Sequence, residues 1–142
     1  MVERINFDVI QPGDTVPSIS KRMSQEIINK WADAVGDYNP LHVDPEYAKK
    51  TKFKSTIAHG PLVISYIAEM MDRWLGDNWI DGGKLLDIKF HAPVKPGDEI
   101  KIAGRVKEKR IVVNQKIIEC DVFIDNQEGV KVVVGRAIGS IK

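Results

Sequence analysis

The sequence predicts an α+β domain in which an antiparallel sheet of about five strands wraps one long, buried helix. Three observations carry that expectation. Residues 60–75 keep a helical pattern that is apolar on most sides, strand-like alternation begins near Gly83, and short Gly, Pro and Asn turns separate the alternating runs. A helix that apolar needs cover almost all round, and a sheet curled about it supplies that cover. With 142 residues the chain makes one domain, residues 1–142, large enough for a real core.

Taken in order, residues 1–14 read as an irregular lead-in ending in the turn Gln11-Pro12-Gly13-Asp14. Thr15 to Arg22, rich in β-branched residues and serine, reads as a first strand. Ser24 suits the N-cap of a helix running to about Val35, with Ile27, Ile28, Trp31, Ala34 and Val35 at helical spacing and Gly36 as its stop. Asp37 to His42 then reads as a loop, because Pro40 denies a helix there and biases Asn39 towards extended backbone. Asp44-Pro45 opens a short helix to about Thr51.

Gly60 to Leu75 is the clearest helix. Leu62, Val63, Tyr66, Ile67, Met70, Met71, Trp74 and Leu75 leave only a narrow polar stripe of Ser65, Glu69, Asp72 and Arg73. Gly76-Asp77-Asn78 ends it. Four strands follow. Lys84–Val94 should place Leu86, Ile88 and Phe90 on one face; Glu99–Lys109 alternates Ile100, Ile102, Gly104 and Val106; Gln115–Asp125 alternates Ile118, Cys120, Val122 and Ile124; Val130–Ile141 is nearly continuous in small and branched residues.

Composition narrows the function classes. Lys and Arg total 21 against 20 Asp and Glu, a net charge of +1, so nothing electrostatic points to nucleic acid or an anionic membrane. A lone cysteine, Cys120, excludes an internal disulfide framework and a cysteine-based zinc site and suits a reducing compartment. The N-terminus lacks the build of a signal peptide and no apolar run reaches membrane-span length, so a cytoplasmic protein is expected.

Two stretches carry chemistry. Gly36-Asp37-Tyr38-Asn39-Pro40-Leu41-His42 packs a carboxylate, an amide, a turn-forming proline and an imidazole between two helices. Ala58-His59-Gly60-Pro61-Leu62 opens the long helix. Together the Asp37-x-Asn39-Pro40-x-His42 pattern, continued by Val43-Asp44-Pro45, and the His59-Gly60 pair with Leu62 resemble the MaoC-like dehydratases, the (R)-specific enoyl-CoA hydratases of the hot-dog fold. The order of elements agrees, and the resemblance runs from about Asp8 to the end.

The resemblance implies a hydro-lyase of fatty acid metabolism acting on 2-enoyl and (R)-3-hydroxyacyl thioesters of CoA or acyl carrier protein, with no metal or redox cofactor, in a homodimer. Asp37 and His42 would activate water, an imidazole being suited to proton transfer near neutral pH. The Gly60 N–H, at a helix start where amides lack intrahelical acceptors, would stabilise the thioester oxygen as charge develops, a contact class worth about 3–4 kcal/mol. Asn39, His59, Pro61, Leu62 and Ser65 are the candidate substrate-binding residues. Two positions depart from the family's usual pattern: Pro61 after His-Gly, and Ala68 where a hydroxyl often stands, leaving Ser65 as the nearest hydroxyl. Both bear on substrate fit.

Two alternatives stand beside the hydratase reading. Hot-dog thioesterases commonly use an acid on the central helix, which here is Glu69; a non-catalytic acyl-thioester-binding subunit is the other. His59 is expected to brace the loop as well as, or instead of, touching substrate. His91 is expected to point outward or into a subunit contact, and Cys120 to be a small core residue.

Overall fold

The computed structural model describes residues 5–142; the first four residues of the lead-in lie outside that range. Its turns show how the sequence sets the frame. Two X-Pro-Gly-Asp tetrapeptides, 11–14 and 95–98, hold Gly13 at φ 93° and Gly97 at φ 92°. Each closes with the Asp N–H donating 3.0 Å to the first residue's carbonyl, while the Asp carboxylate accepts from that residue's N–H at 2.8 Å and 2.9 Å. Pro before Gly is the sequence signature of this turn.

Five strands, β1 (Thr15–Arg22), β2 (Lys84–Phe90), β3 (Glu99–Val112), β4 (Gln115–Asp125) and β5 (Lys131–Ile141), form one sheet ordered β1-β3-β4-β5-β2, every neighbour antiparallel. The helices are α1 (Gln25–Val35), α2 (Pro40–Val43), α3 (Pro45–Lys49), α4 (Gly60–Leu75) and α5 (Asp77–Ile80). α4 lies in the curl of the sheet against β1, β3 and β5, which is the hot-dog arrangement. Ile67, Met70 and Met71 on α4 are fully buried, as are Ile102, Ile118, Cys120 and Ile124 on the sheet. Each such side chain contributes about 1.5–3 kcal/mol of burial. The helix approaches β5 so closely that a Cβ on Gly139 would fall 2.5 Å from Leu75 Cδ1. Among the described residues no helix is long and apolar enough to cross a membrane.

Four expectations are corrected. First, α1 has its Ser24 cap, with Ile27 N–H donating to Oγ at 3.1 Å, but its last turn leaves the core: Ala34 and Val35 are exposed, and Ala32 is buried instead. Second, Pro40 does not deny a helix; it starts α2, where its missing N–H costs nothing at the first helical position. Third, a further single-turn helix, α5, follows Gly76 at once. Fourth, β2 stops at Phe90, and its pairing with β5 slips between Leu86 and Lys89, with Asp87 at φ 55°. The extra residue puts Leu86 opposite the outward Arg136, whereas Leu85 faces the buried Ala137 and Phe90 the buried Val133. Leu86 and Phe90 therefore lie on opposite faces. β3 and β4 also run on to a two-residue turn at Val113 and Asn114, both at positive φ, which matches the twist of a hairpin.

Candidate active site

Short-range hydrogen bonds fold the 36–42 stretch. Gly36, at φ 76°, ends α1 by donating to Ala32 O at 2.8 Å. Asp37 Oδ1 accepts the Asn39 N–H at 3.2 Å, and Asn39 Oδ1 accepts the Leu41 N–H at 3.0 Å, so Asn39 caps α2. That single turn of helix rotates His42 back towards Asp37.

His42 Nδ1 lies 2.8 Å from the Ile57 carbonyl oxygen. A carbonyl only accepts, so Nδ1 holds a proton, and in the neutral ring Nε2 carries the lone pair. His59 is fixed in the complementary way: its Nε2 is 3.0 Å from the Asp37 carbonyl oxygen. The two imidazoles stack with centroids 3.9 Å apart and planes 27° apart. Ligand-capable atoms of Asp37, His42 and His59 all fall within 4.8 Å of one another. The same three atoms could hold a metal ion or handle a proton.

Gln25 on α1 anchors the loop from behind. Its Nε2 donates to the His42 carbonyl at 2.8 Å, and its Oε1 accepts from the buried Thr56 hydroxyl at 2.5 Å.

A cavity of about 350 Å³ opens beside this cluster. His42 and Gly60 both line it, with Phe53, Val63, Phe90 and His91 on its walls. Gly60 is the first residue of α4, whose N-cap, His59, makes no side-chain capping bond, so the positive end of the helix meets the cavity uncapped.

Of the residues singled out in the sequence, the fold thus brings Asp37, His42, His59 and Gly60 together. Of these, His42 and Gly60 line the cavity and Asp37 and His59 do not. His59 is 1% exposed and stands behind His42, not on the cavity wall. Leu62 is buried in the core, Pro61 is exposed at the helix start, and Ser65 is turned onto its own helix, its hydroxyl donating to the Leu62 carbonyl at 2.6 Å. Asn39 is a cap. None of these five side chains lines the cavity. Glu69 is held between Lys21 at 2.9 Å and Arg73 at 2.7 Å, outside the cavity lining.

Sequence reasoning passed over Phe53, Phe90, Gln25 and Thr56, and gave His91 no place in the site. His91 is exposed, as expected, yet lies on the cavity wall. Only the bulge in β2 reveals where Phe90 and His91 go, and nothing in the local pattern announces it.

Comparison with known proteins places the chain in a family. The family model described as MaoC like domain matches residues 9–127. The (R)-specific enoyl-CoA hydratase of Rhodospirillum rubrum is 34% identical over 113 residues, 75% of each chain. The mouse peroxisomal multifunctional enzyme type 2 is 29% identical over 117 residues, 82% of this chain, but the match spans only 16% of that enzyme's length. Among solved structures, the (R)-hydratase from A. caviae involved in PHA biosynthesis superposes with a TM-score of 0.80 at 27% identity, covering 94% of this chain and 98% of that one. The chain belongs to the MaoC-like family of hydratases and dehydratases.

Proposed function

We propose that this protein interconverts trans-2-enoyl and (R)-3-hydroxyacyl thioesters. Asp37 and neutral His42 hold a water, and the bare Nε2 takes its proton as oxygen bonds to Cβ of the enoyl group. The electron pair moves onto the thioester oxygen, where the Gly60 N–H and the N-terminus of α4 stabilise it. The enolate then collapses and takes at Cα the proton that His42 Nε2 had accepted, so that the elements of water are added overall and the base is restored; dehydration runs the same steps backwards. The Ile57 carbonyl keeps the proton on Nδ1 and so leaves Nε2 as the base.

The observation that carries this reading is that His42 and Gly60 face one cavity, with Asp37 beside the imidazole. The names of the relatives support the choice of substrate. A second copy of the chain pairing along an open sheet edge is the assembly we favour, since among the described residues β1 and β2 each pair with one strand. The thioesterase alternative is disfavoured because Glu69 is ion-paired on both sides.

Crotonyl-CoA tests the proposal. Wild-type protein should consume enoyl absorbance without releasing thiol, and Asp37→Asn or His42→Ala should cut the rate roughly 10²–10⁴-fold, the usual worth of a general acid–base group, with folding intact. Free CoA thiol would identify a thioesterase. Binding without turnover would identify a non-catalytic subunit.

A further inference from the structure

We infer that His59 is a positioning residue that fixes Asp37 and His42 relative to the tip of α4 without touching substrate. This rests on the hydratase reading above. His59 is 1% exposed and does not line the cavity. Its ring nonetheless reaches both members of the proposed pair. Nε2–H donates to the Asp37 carbonyl at 3.0 Å, and the ring face stacks on His42 at 3.9 Å.

The two contacts do different things. The Ile57 carbonyl pins His42 at one atom, 2.8 Å from Nδ1, and a single hydrogen bond leaves an imidazole free to swing about that point. A second ring pressed on its face removes the swing and sets the plane of Nε2. Meanwhile the bond to the Asp37 carbonyl ties down the turn that carries the carboxylate. His59 directly precedes Gly60, so one buried side chain sets the spacing between acid, base and oxyanion donor.

Chain stability alone does not account for this choice. Among the described residues His59 Nδ1 has no hydrogen-bond partner, although it is buried. An unpaired buried acceptor is destabilising, and an apolar side chain would fill the position without it. The imidazole is needed for a feature an aliphatic residue lacks: a donor on one edge together with a flat face.

Kinetics of His59→Phe and His59→Gln on crotonyl-CoA, with thermal unfolding of each, test the inference. Phe keeps the face and loses the donor; Gln keeps a donor at the same reach. The expected result is a fall in kcat of about 10–100-fold for His59→Phe with KM within about threefold, since a misplaced base slows chemistry and not binding. His59→Gln should exceed His59→Phe in kcat by about three- to tenfold, the worth of one net hydrogen bond.

Wild-type kcat in both variants overturns the inference. So does a loss carried by KM, or equal kcat in the two. If neither variant folds, long-range proton–nitrogen NMR of the wild-type protein decides: His59 protonated on Nε2 supports the inference, and His59 protonated on Nδ1 overturns it. Asp37→Asn and His42→Ala run alongside. If these two lose activity while His59→Phe does not, only the positioning role fails; if they keep full activity, the hydratase reading falls and takes this role with it.

Discussion

The ring of Phe90 packs over the first residue of α4: a Cβ on Gly60 would stand 3.2 Å from Phe90 Cζ. Residue 60 must therefore be small for that ring, the helix tip and the cavity to share the space. Gly60→Ala should lower kcat/KM roughly tenfold by crowding the thioester's approach, while stability changes by less than about 1 kcal/mol, because alanine's helix preference opposes the contact with Phe90. Adding Phe90→Ala should recover part of the lost activity. Crotonyl-CoA kinetics and thermal unfolding of both variants measure this, and a fully active Gly60→Ala protein would show that the site tolerates a side chain there.

Gln25 should matter although it faces away from the cavity. Its amide joins α1 to the His42 carbonyl and to Thr56. Gln25→Ala should cost about 1–3 kcal/mol for its lost bonds to His42, Thr56 and Asn29 and reduce kcat several-fold by loosening α2. Urea unfolding read beside steady-state rates checks both effects together; unchanged kcat would mean that α2 holds its position without this brace.

Glu119 is a buried carboxylate on the outer face of the sheet, 5% exposed. Arg110 and Arg136 approach it at 3.4 Å and Lys107 at 3.8 Å. Glu119→Gln should destabilise the protein by about 1–3 kcal/mol, below the usual cost of breaking a buried pair, because Arg110 and Arg136 keep Glu108 and Asp87 as partners. Added salt should narrow the difference only slightly, since a buried group is poorly screened. Denaturant midpoints at low and high salt provide the measurement.

Burial pushes the Cys120 thiol up to about 12, with neighbouring Asp121 and Glu119 adding to the effect. The folded state thus holds this proton more tightly than the unfolded state, whose thiol ionises near 9. The resulting stability is complete below pH 9 and is lost as pH rises from 9 towards 12, by at most about 1.4 kcal/mol per pH unit. Native protein at pH 8 should resist thiol reagents and react promptly once unfolded. Rapid labelling of the native state would mean that β4 opens readily.

Much of this fold is legible in the sequence because its strongest signals are local. α4 begins and ends where the apolar pattern and its Gly-Pro start place it, and β4 spans the alternating run from Gln115 to Asp125. Asp37 and His42 can be singled out because polar density between two helices has few structural explanations, and Gly60 because it opens the long helix in a His-Gly pair that resembles the family's. The misreadings have non-local causes. Pro40 can break a helix or begin one, and only the Asn39 cap decides between them. Ser65 is polar and near the site in sequence, yet its hydroxyl turns back to the helix it sits on. Phe53 and His91 reach the cavity from a linker and from beyond a strand end, where no periodicity marks a face.

The slipped pairing in β2 ties the site's dimensions to a single peptide unit. Side chains swap sides of a pleated strand with every residue, so the surplus unit at Asp87 acts as a parity switch. Excising it would straighten the ribbon and send either the Leu85 or the Phe90 end of the strand to the wrong side. If the Phe90 end moved, the cavity would lose one wall while α4, the Asp37–His42 turn and nearly every core contact stayed where they are. The width of this cavity thus depends on a one-residue register slip in β2, outside both the Asp37–His42 turn and α4.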